Sequence, residues 1–343
     1  MEGLQDVGDP EAFVWKILPH AARTFAACIT LLPAESARAA AVAYLYCRIL
    51  DTYEDLIPPA PEREAALATF GHRFQVPSET TPTAAPALAA SRARDVRDRT
   101  HVILVNRCHL VDAVYRTLTP ATQRTIAELV ESMAAGMIWS SQTFGAQGGV
   151  LRDADQLSRY CRNVIGLPFL FAVRLLHQQR TGDPAVSDAV REDCMLAGEM
   201  VQLANVTRDI EKDLGRGIAY HPALAGDLGR SDGTDPELRE RVRRVREELL
   251  VRALHLAPAY ERLMDAMPFH AVSLTRGSGV LMLQFTDRYY RSCARRVGRV
   301  PWPGPRSALS LMLLTAGHVV SAGWSSRTVR RITGRFLKFA AES

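Results

Sequence analysis

Two sets of oxygen-bearing side chains stand out. Gln202, Asn205, Asp209 and Asp213 recur at three- and four-residue steps in a run with no Pro or Gly. On a helix such steps share one face, so the run stacks two amides and two carboxylates in a column. Far earlier in the chain, Asp51 and Asp55 form an i,i+4 pair with Glu54 beside them. Like charges at that spacing cost about a few tenths of a kcal/mol unless a cation offsets them. Oxygen-only donors suit a hard cation, and Mg2+ keeps several waters and is shared with substrate phosphates. The chemistry these residues point to is therefore Mg2+-assisted handling of a diphosphate. Asp and Asn also recur on solvated helix faces, so the column from Gln202 to Asp213 alone fits a plain surface. The apolar run Ala40–Cys47 leading into Asp51 and Asp55 does not fit that plainer reading.

The elements that carry these residues read as helices throughout. Residues 11–50 read as two helices broken at Pro33, the second delivering Asp51 and Asp55. A short helix follows over 62–74, and the Thr, Pro and Ala of 76–91 read as a surface loop. Residues 100–115 and 120–139 show apolar steps of three and four. Residues 153–177 read as a long apolar helix kinked at Pro168, with Tyr160 near its start. The second oxygen column sits in a helix over 192–214, ended by Gly215 and Gly217. The Gly-containing loop to Pro236 reads as a flap. Residues 237–267 read as a helix kinked at Pro258, and another begins at Pro268. No strand is expected, so the fold class is all-α in a single domain spanning 1–343. Residues 300–343 form a basic, partly apolar C-terminal extension.

Composition excludes several classes. Hydrophobic content is 47% and aromatic content 7%, as in globular chains. The six cysteines are scattered with no Cys-x-x-Cys, which argues against a zinc site or a disulfide framework and for a reducing, cytoplasmic compartment. The acidic N-terminus lacks an apolar core and does not read as a secretory signal. No dinucleotide-type or Walker-type glycine loop appears. The net charge of +5 permits nucleic-acid binding. The basic residues are not interleaved with aromatics, however, and no nucleic acid is expected as partner. From Arg288 onward there are eleven Lys or Arg and one acid, Glu342. The uncharged stretch 307–326 reads as a buried helix rather than a membrane span. The basic segment after it suits peripheral contact with an anionic membrane.

In this setting the sequence resembles the squalene/phytoene synthases, and their squalene-type branch best. Asp51, Glu54 and Asp55 match the family's first Asp-x-x-Glu-Asp motif. Gln202, Asn205, Arg208, Asp209 and Asp213 match its second, Gln-x-x-Asn-x-x-Arg-Asp-x-x-x-Asp. The segment Arg23-Thr-Phe25-Ala is similar to an N-terminal family element. Tyr160-Cys-Arg-Asn-Val-Ile-Gly166 and Gly215-Arg-Gly-Ile-Ala-Tyr220-His-Pro222 are similar to two others. The resemblance implies an isoprenoid-synthase-like helical bundle around a central cavity, with the two acidic helices facing each other. Asp51, Glu54, Asp55, Asn205, Asp209 and Asp213 would hold Mg2+. Arg23, Arg48, Arg208 and Tyr220 would bind diphosphate, guanidinium matching phosphate geometry. Tyr160 would serve near the reacting carbocation, and Phe25, Gln202 and His270 would line the pocket. The implied reaction ionises an allylic diphosphate (farnesyl, geranyl or dimethylallyl) and joins two prenyl groups head to head, with NADPH as reductant in squalene-type members.

The chain departs from the family pattern in two places. Lys212 stands where the second motif has Glu, and either opposes a metal or contacts phosphate itself. Around Arg276, Gly277 and Gly279 a smooth apolar run is interrupted, which reads as a reshaped cavity. No stretch is assigned to NADPH. Two rival readings follow. One is transfer of a single prenyl group to an aromatic acceptor of carbazole type, with His270 or Tyr160 hydrogen-bonding the acceptor. The other is a non-catalytic relative that binds prenyl lipids.

Overall fold

The computed structural model describes residues 3–22, 24–58, 60–74, 84–230, 235–305 and 307–342. In chain order the helices are α1 (Pro10–Ala22), α2 (Thr24–Thr30), α3 (Ala34–Leu56), α4 (Ala60–His72), α5 (Val96–Asn106), α6 (Cys108–Tyr115), α7 (Pro120–Ala146), α8 (Ala154–Cys161), α9 (Leu167–Thr181), α10 (Asp188–Gly215), α11 (Pro236–His255), α12 (Ala257–Ala266), α13 (Leu274–Arg296), α14 (Ala308–Val320) and α15 (Ala322–Ala341). Among the described residues there is no strand, only an isolated parallel bridge between Val150 and Ala219. The all-α class expected from the sequence is what the structure shows. Contacts group the chain into two compact units, Met1–Gln142 with Arg174–Pro184, and Thr143–Val173 with Ala185–Ser343.

Short polar side chains start many of these helices. Asp95, Asp153, Ser187, Asp235, Ser273, Ser307 and Ser321 each accept a backbone N–H in the first turn of α5, α8, α10, α11, α13, α14 and α15. Such caps satisfy donors that have no partner inside the helix.

In the first unit, α3 is the central element. Val42, Leu45, Tyr46, Ile49, Leu50 and Tyr53 are fully buried. The Tyr46 hydroxyl donates to Asp112 at 2.7 Å, and Arg73 pairs with the other Asp112 oxygen at 2.7 Å. Rings of Tyr46, Phe70, Phe74 and Tyr115 meet edge to face around this ion pair. A buried ion pair costs desolvation, and here the Tyr46 hydroxyl adds the further hydrogen bond that such a pair needs. The opposite stripe of α3 (Tyr44, Arg48, Asp51 and Asp55) is only half-buried.

In the second unit, α10 lies at the centre. Gly198 meets the π-helical turn Arg162–Gly166, which separates α8 from α9. A Cβ on Gly198 would sit 2.4 Å from the Gly166 Cα, so two backbones approach where only glycine fits. This wide turn replaces the kink expected at Pro168. Proline has no N–H to continue the ladder, and the irregularity falls just before it. Buried Glu199 accepts from Ser158 at 2.8 Å and pairs with Arg162 and Arg252 at 3.2 and 3.0 Å, tying α8, the π turn and α11 to α10.

Several expectations are corrected. The helix expected over 100–115 is two, since the chain turns at Arg107 between α5 and α6. The helix expected from Pro268 begins at Leu274. Arg276, read as a cavity departure, is buried, and its guanidinium donates to the carbonyls of His270, Ala271, His318 and Val319 at 2.6–3.1 Å. It clamps the turn before α13 and the end of α14. The stretch 307–326 is not one buried helix. Ser321 is extended and splits it into α14 and the start of α15, and one face of α14 is exposed. Much of the expected 76–91 loop lies outside the described residues.

Two buried histidines make stability depend on pH. Burial, with the charges of Arg331 and Arg276 adding, lowers His318 to about 4. Burial, with Arg48 and Arg97, likewise lowers His101 to about 4. An unfolded histidine titrates near about 6.5. Between these values the unfolded chain holds the extra proton, so stability falls as pH drops from about 6.5 to about 4. His318→Gln is expected to flatten part of that decline in the thermal midpoint. A variant curve parallel to the parent's would contradict the assignment. A second expectation concerns Gly198→Ala, which forces backbone apart and costs about 1–3 kcal/mol by overpacking. Urea unfolding with an unchanged midpoint would refute it.

Candidate active site

The first acidic motif sits on the half-buried stripe of α3, held there because the opposite stripe is locked in the core. Arg48 pairs with Asp51 at 3.0 Å and donates to the Tyr44 hydroxyl at 2.8 Å. The Tyr44 ring packs on Phe25 with centroids 5.6 Å apart. The segment Thr24–Phe25 is thereby joined to the motif through Tyr44 and Arg48. Arg23 lies outside the described residues. Glu54 accepts from the Ser140 hydroxyl of α7 at 3.4 Å. Burial pushes the Asp51 carboxyl up, with nearby Asp55 adding, while Arg48 and Arg97 oppose it. Burial works against the Arg48 charge, yet the Tyr44 hydroxyl and Asp51 hold its pKa above the usual guanidinium value.

The sequence reading missed Arg97 and His101 on α5. The charges of Arg48 and Asp55 act on His101, and its buried Nε2 has no hydrogen-bond partner. An unpartnered buried polar atom beside an acidic cluster is the kind of group a ligand satisfies. No motif marks it, and the only sequence signal is its place four residues after Arg97 on one helix face.

The second motif sits on α10. Buried Gln202 accepts from the Asn205 amide at 3.0 Å and so orients it. Arg208 grips Asp209 with two bonds, 2.8 and 2.6 Å. Burial alone would raise the Asp209 pKa. Arg208 overrides it through hydrogen bonds and charge, Lys212 and Arg296 add to this, and the carboxyl is held below its usual range. Lys212 is exposed. Its neighbour Glu211 points elsewhere, to Arg246 at 2.5 Å, and does not join the oxygen column. Asp213 is buried and has Arg216 at 3.7 Å.

The end of α10 is fixed by backbone geometry. Gly217 has φ +77°, Ile218 N–H donates to the Asp213 carbonyl at 2.9 Å, and Gly217 N–H donates to Leu214 at 2.9 Å. This pair of bonds is the glycine-dependent helix stop. The chain then bridges to Val150, with Ala219 N–H donating to the Gly149 carbonyl at 2.8 Å. Tyr220 follows directly. Its hydroxyl lies 3.1 Å from that of Tyr160, and both rings meet Phe144 edge to face. Phe144 is a member of this cluster that sequence reasoning did not single out. His270 is exposed in the turn before α13, where its carbonyl accepts from Arg276.

Among the described residues no group of three or more His, Cys, Asp or Glu is placed to hold a metal by itself. Mg2+ typically takes one or two protein carboxylates and completes its shell with water and substrate phosphate. The all-oxygen donors of α3 and of α10 match that demand.

A family model for squalene/phytoene synthase matches residues 18–306. The human squalene synthase is 26% identical over 250 residues, covering 71% of this chain and 55% of that protein. The rat squalene synthase is 26% identical over 208 residues, covering 61% of this chain and 45% of that protein. The chain thus spans about half the length of these curated relatives. Among solved structures, a complex of TcSQS with a ligand superposes with a TM-score of 0.70 at 18% identity, covering 95% of this chain and 91% of that one. A dehydrosqualene synthase in complex with a ligand superposes with a TM-score of 0.53 at 16% identity, covering 96% and 97%. At these identities the structural likeness concerns the fold.

Mutating Tyr220 tests the aromatic cluster. Tyr220→Phe removes one hydroxyl of the pair but keeps the ring and is expected to leave the fold intact. Tyr220→Ala is expected to lower the thermal midpoint, because a ring packed on Phe144 and Tyr160 is lost. Equal midpoints for the two variants would contradict this packing role.

Proposed function

Because the chain belongs to the squalene/phytoene synthase family, we propose that it is an Mg2+-dependent prenyltransferase. It ionises an allylic prenyl diphosphate and joins two such molecules head to head. The observation that carries this reading is that each acidic helix presents carboxylates and a guanidinium together, Arg48 with Asp51 and Arg208 with Asp209. Such pairs keep half-buried carboxylates charged, and the guanidinium is the group that grips phosphate oxygens when substrate arrives.

At the first motif Asp51 and Asp55 on α3, with Glu54 beside them, would hold Mg2+, and at the second Asn205, Asp209 and Asp213 on α10 would do so. Bound Mg2+ would supply positive charge to the departing diphosphate. Arg48 with Arg23 for the first motif, and Arg208 with Tyr220 for the second, bind and orient diphosphate oxygens. Gln202 keeps the Asn205 oxygen in position. The Tyr160 ring offers a π face to an allylic cation, and Phe25 contributes apolar wall. Six free cysteines, all buried, fit a cytoplasmic setting.

A second reading is transfer of one prenyl group to an aromatic acceptor, with His270 or Tyr160 as its hydrogen-bond partner. Lys212 favours it, since its charge acts on Asp209 and places a cation at the motif that would otherwise serve a further metal.

The test is diphosphate release from farnesyl, geranyl or dimethylallyl diphosphate with Mg2+, with and without NADPH, followed by analysis of the organic extract. A C30 product supports head-to-head joining. Release only with an aromatic co-substrate supports the second reading. No release under any pairing refutes both and leaves a lipid-binding relative. Asp51→Asn and Asp209→Asn are each expected to lower turnover by at least about 100-fold, about 2.7 kcal/mol at the transition state. Unchanged turnover sinks the site. Lys212→Glu is expected to tighten Mg2+ binding if the lysine displaces a metal, and to raise the KM for diphosphate if it grips phosphate.

A further inference from the structure

Eight of the eleven exposed large apolar side chains among the described residues fall within residues 272–274 or 309–324. On α14, Leu309, Met312, Leu313 and Val320 recur at helical steps and are 67, 47, 71 and 64% exposed. The opposite face of α14, with Leu311, Thr315 and His318, is buried. Val272 is 64% exposed, and its neighbour Ser273 donates to the Val319 carbonyl at 2.9 Å, which brings it beside the end of α14. Scattered apolar side chains are normal on a surface, but a contiguous patch marks an interaction site.

The flank of this patch is cationic. At the start of α15, Trp324, Arg327, Thr328, Arg330 and Arg331 line a cleft. Arg330 is answered by Glu261 at 3.3 Å and Asp265 at 3.7 Å. Arg327 and Arg331 are exposed and have no carboxylate partner among the described residues. No acid occurs in the sequence from Arg288 to Ala341.

We infer that the outer face of α14 and the first turns of α15 dock the protein on an anionic lipid surface. The apolar side chains enter the acyl boundary, Trp324 sits at headgroup level, and Arg327 and Arg331 meet lipid phosphates. The 13 residues of α14 span about 20 Å at 1.5 Å per residue, short of a bilayer core of about 30 Å. No helix among the described residues is long and apolar enough to cross a membrane. The helix therefore lies in the plane of the surface. A second copy of the chain fits less well, because symmetric pairing would set two unanswered arginine clusters together. This inference does not depend on the catalytic reading, since its readout is binding.

The test is co-sedimentation of the full chain with phosphatidylcholine vesicles, with and without phosphatidylglycerol. Binding is expected to require phosphatidylglycerol and to weaken with salt. Met312→Glu with Leu313→Glu is expected to reduce binding at least 10-fold, and Arg327→Glu with Arg331→Glu to abolish the phosphatidylglycerol requirement along with most binding. Circular dichroism confirms that both variants fold, since all four side chains point to solvent. No binding to phosphatidylglycerol vesicles, or undiminished binding by the Met312/Leu313 variant, overturns the inference. A lipid-free dimer dispersed by the same two changes also overturns it, in favour of a second copy.

Discussion

Keeping carboxylates charged on helices that are otherwise core is the constraint on which both acidic motifs depend. A carboxylate taken from water drifts toward its neutral form unless something holds the charge. On α3 the holder of Asp51 is Arg48, itself steadied by Tyr44, and burial still pushes Asp51 upward. On α10 the holder of Asp209 is Arg208, with Lys212 and Arg296 behind it, and the balance tips the other way. The two acidic motifs thus differ electrostatically. One carries a carboxylate raised by burial, the other a carboxylate lowered by excess positive charge.

The helical class and the two acidic columns were legible in the sequence because both rest on local periodicity. The pair Asp51 and Asp55 follows from a step of four, and the column from Gln202 to Asp213 from steps of three and four. Helix ends marked by Gly215 and Gly217, or by Pro236, were legible for the same reason. Pro168 signalled an irregularity, but not its form, because a π turn depends on Gly198 approaching from another helix. Arg276 looked like a disturbed apolar wall. Its role depends on four carbonyls, two of them more than forty residues away, which no window of sequence contains. His101 and Phe144 were missed likewise, since each takes its meaning from neighbours on other helices. The stretch 307–326 misled because hydropathy measures how apolar a segment is and not which face it turns to the core.

The second unit shows how an aromatic cluster is placed without a sheet or disulfide to fix it. Gly217 lets the chain leave α10 in a left-handed turn, and Gly149 lets another segment come close. A Cβ on Gly149 would stand 2.2 Å from the Gly217 carbonyl oxygen. Glu199, deeply buried, ties α8 and α11 to α10 through Arg162 and Arg252. Tyr160 and Tyr220 meet because both ends of their supports are tied down.

The isolated bridge between Val150 and Ala219 also bears on the order in which the molecule assembles. Helices α8, α9 and α10 lie between its two ends and can form from local contacts alone. The bridge closes a loop of about 70 residues, and the entropy of such closure must be met before its hydrogen bonds repay it. The Ala219 amide, bonded to Gly149, is shielded from solvent exchange only after that closure. The hydroxyls of Tyr160 and Tyr220 come within reach at the same late moment. A nascent second unit would thus be richly helical while still lacking the aromatic contact beside its acidic helix.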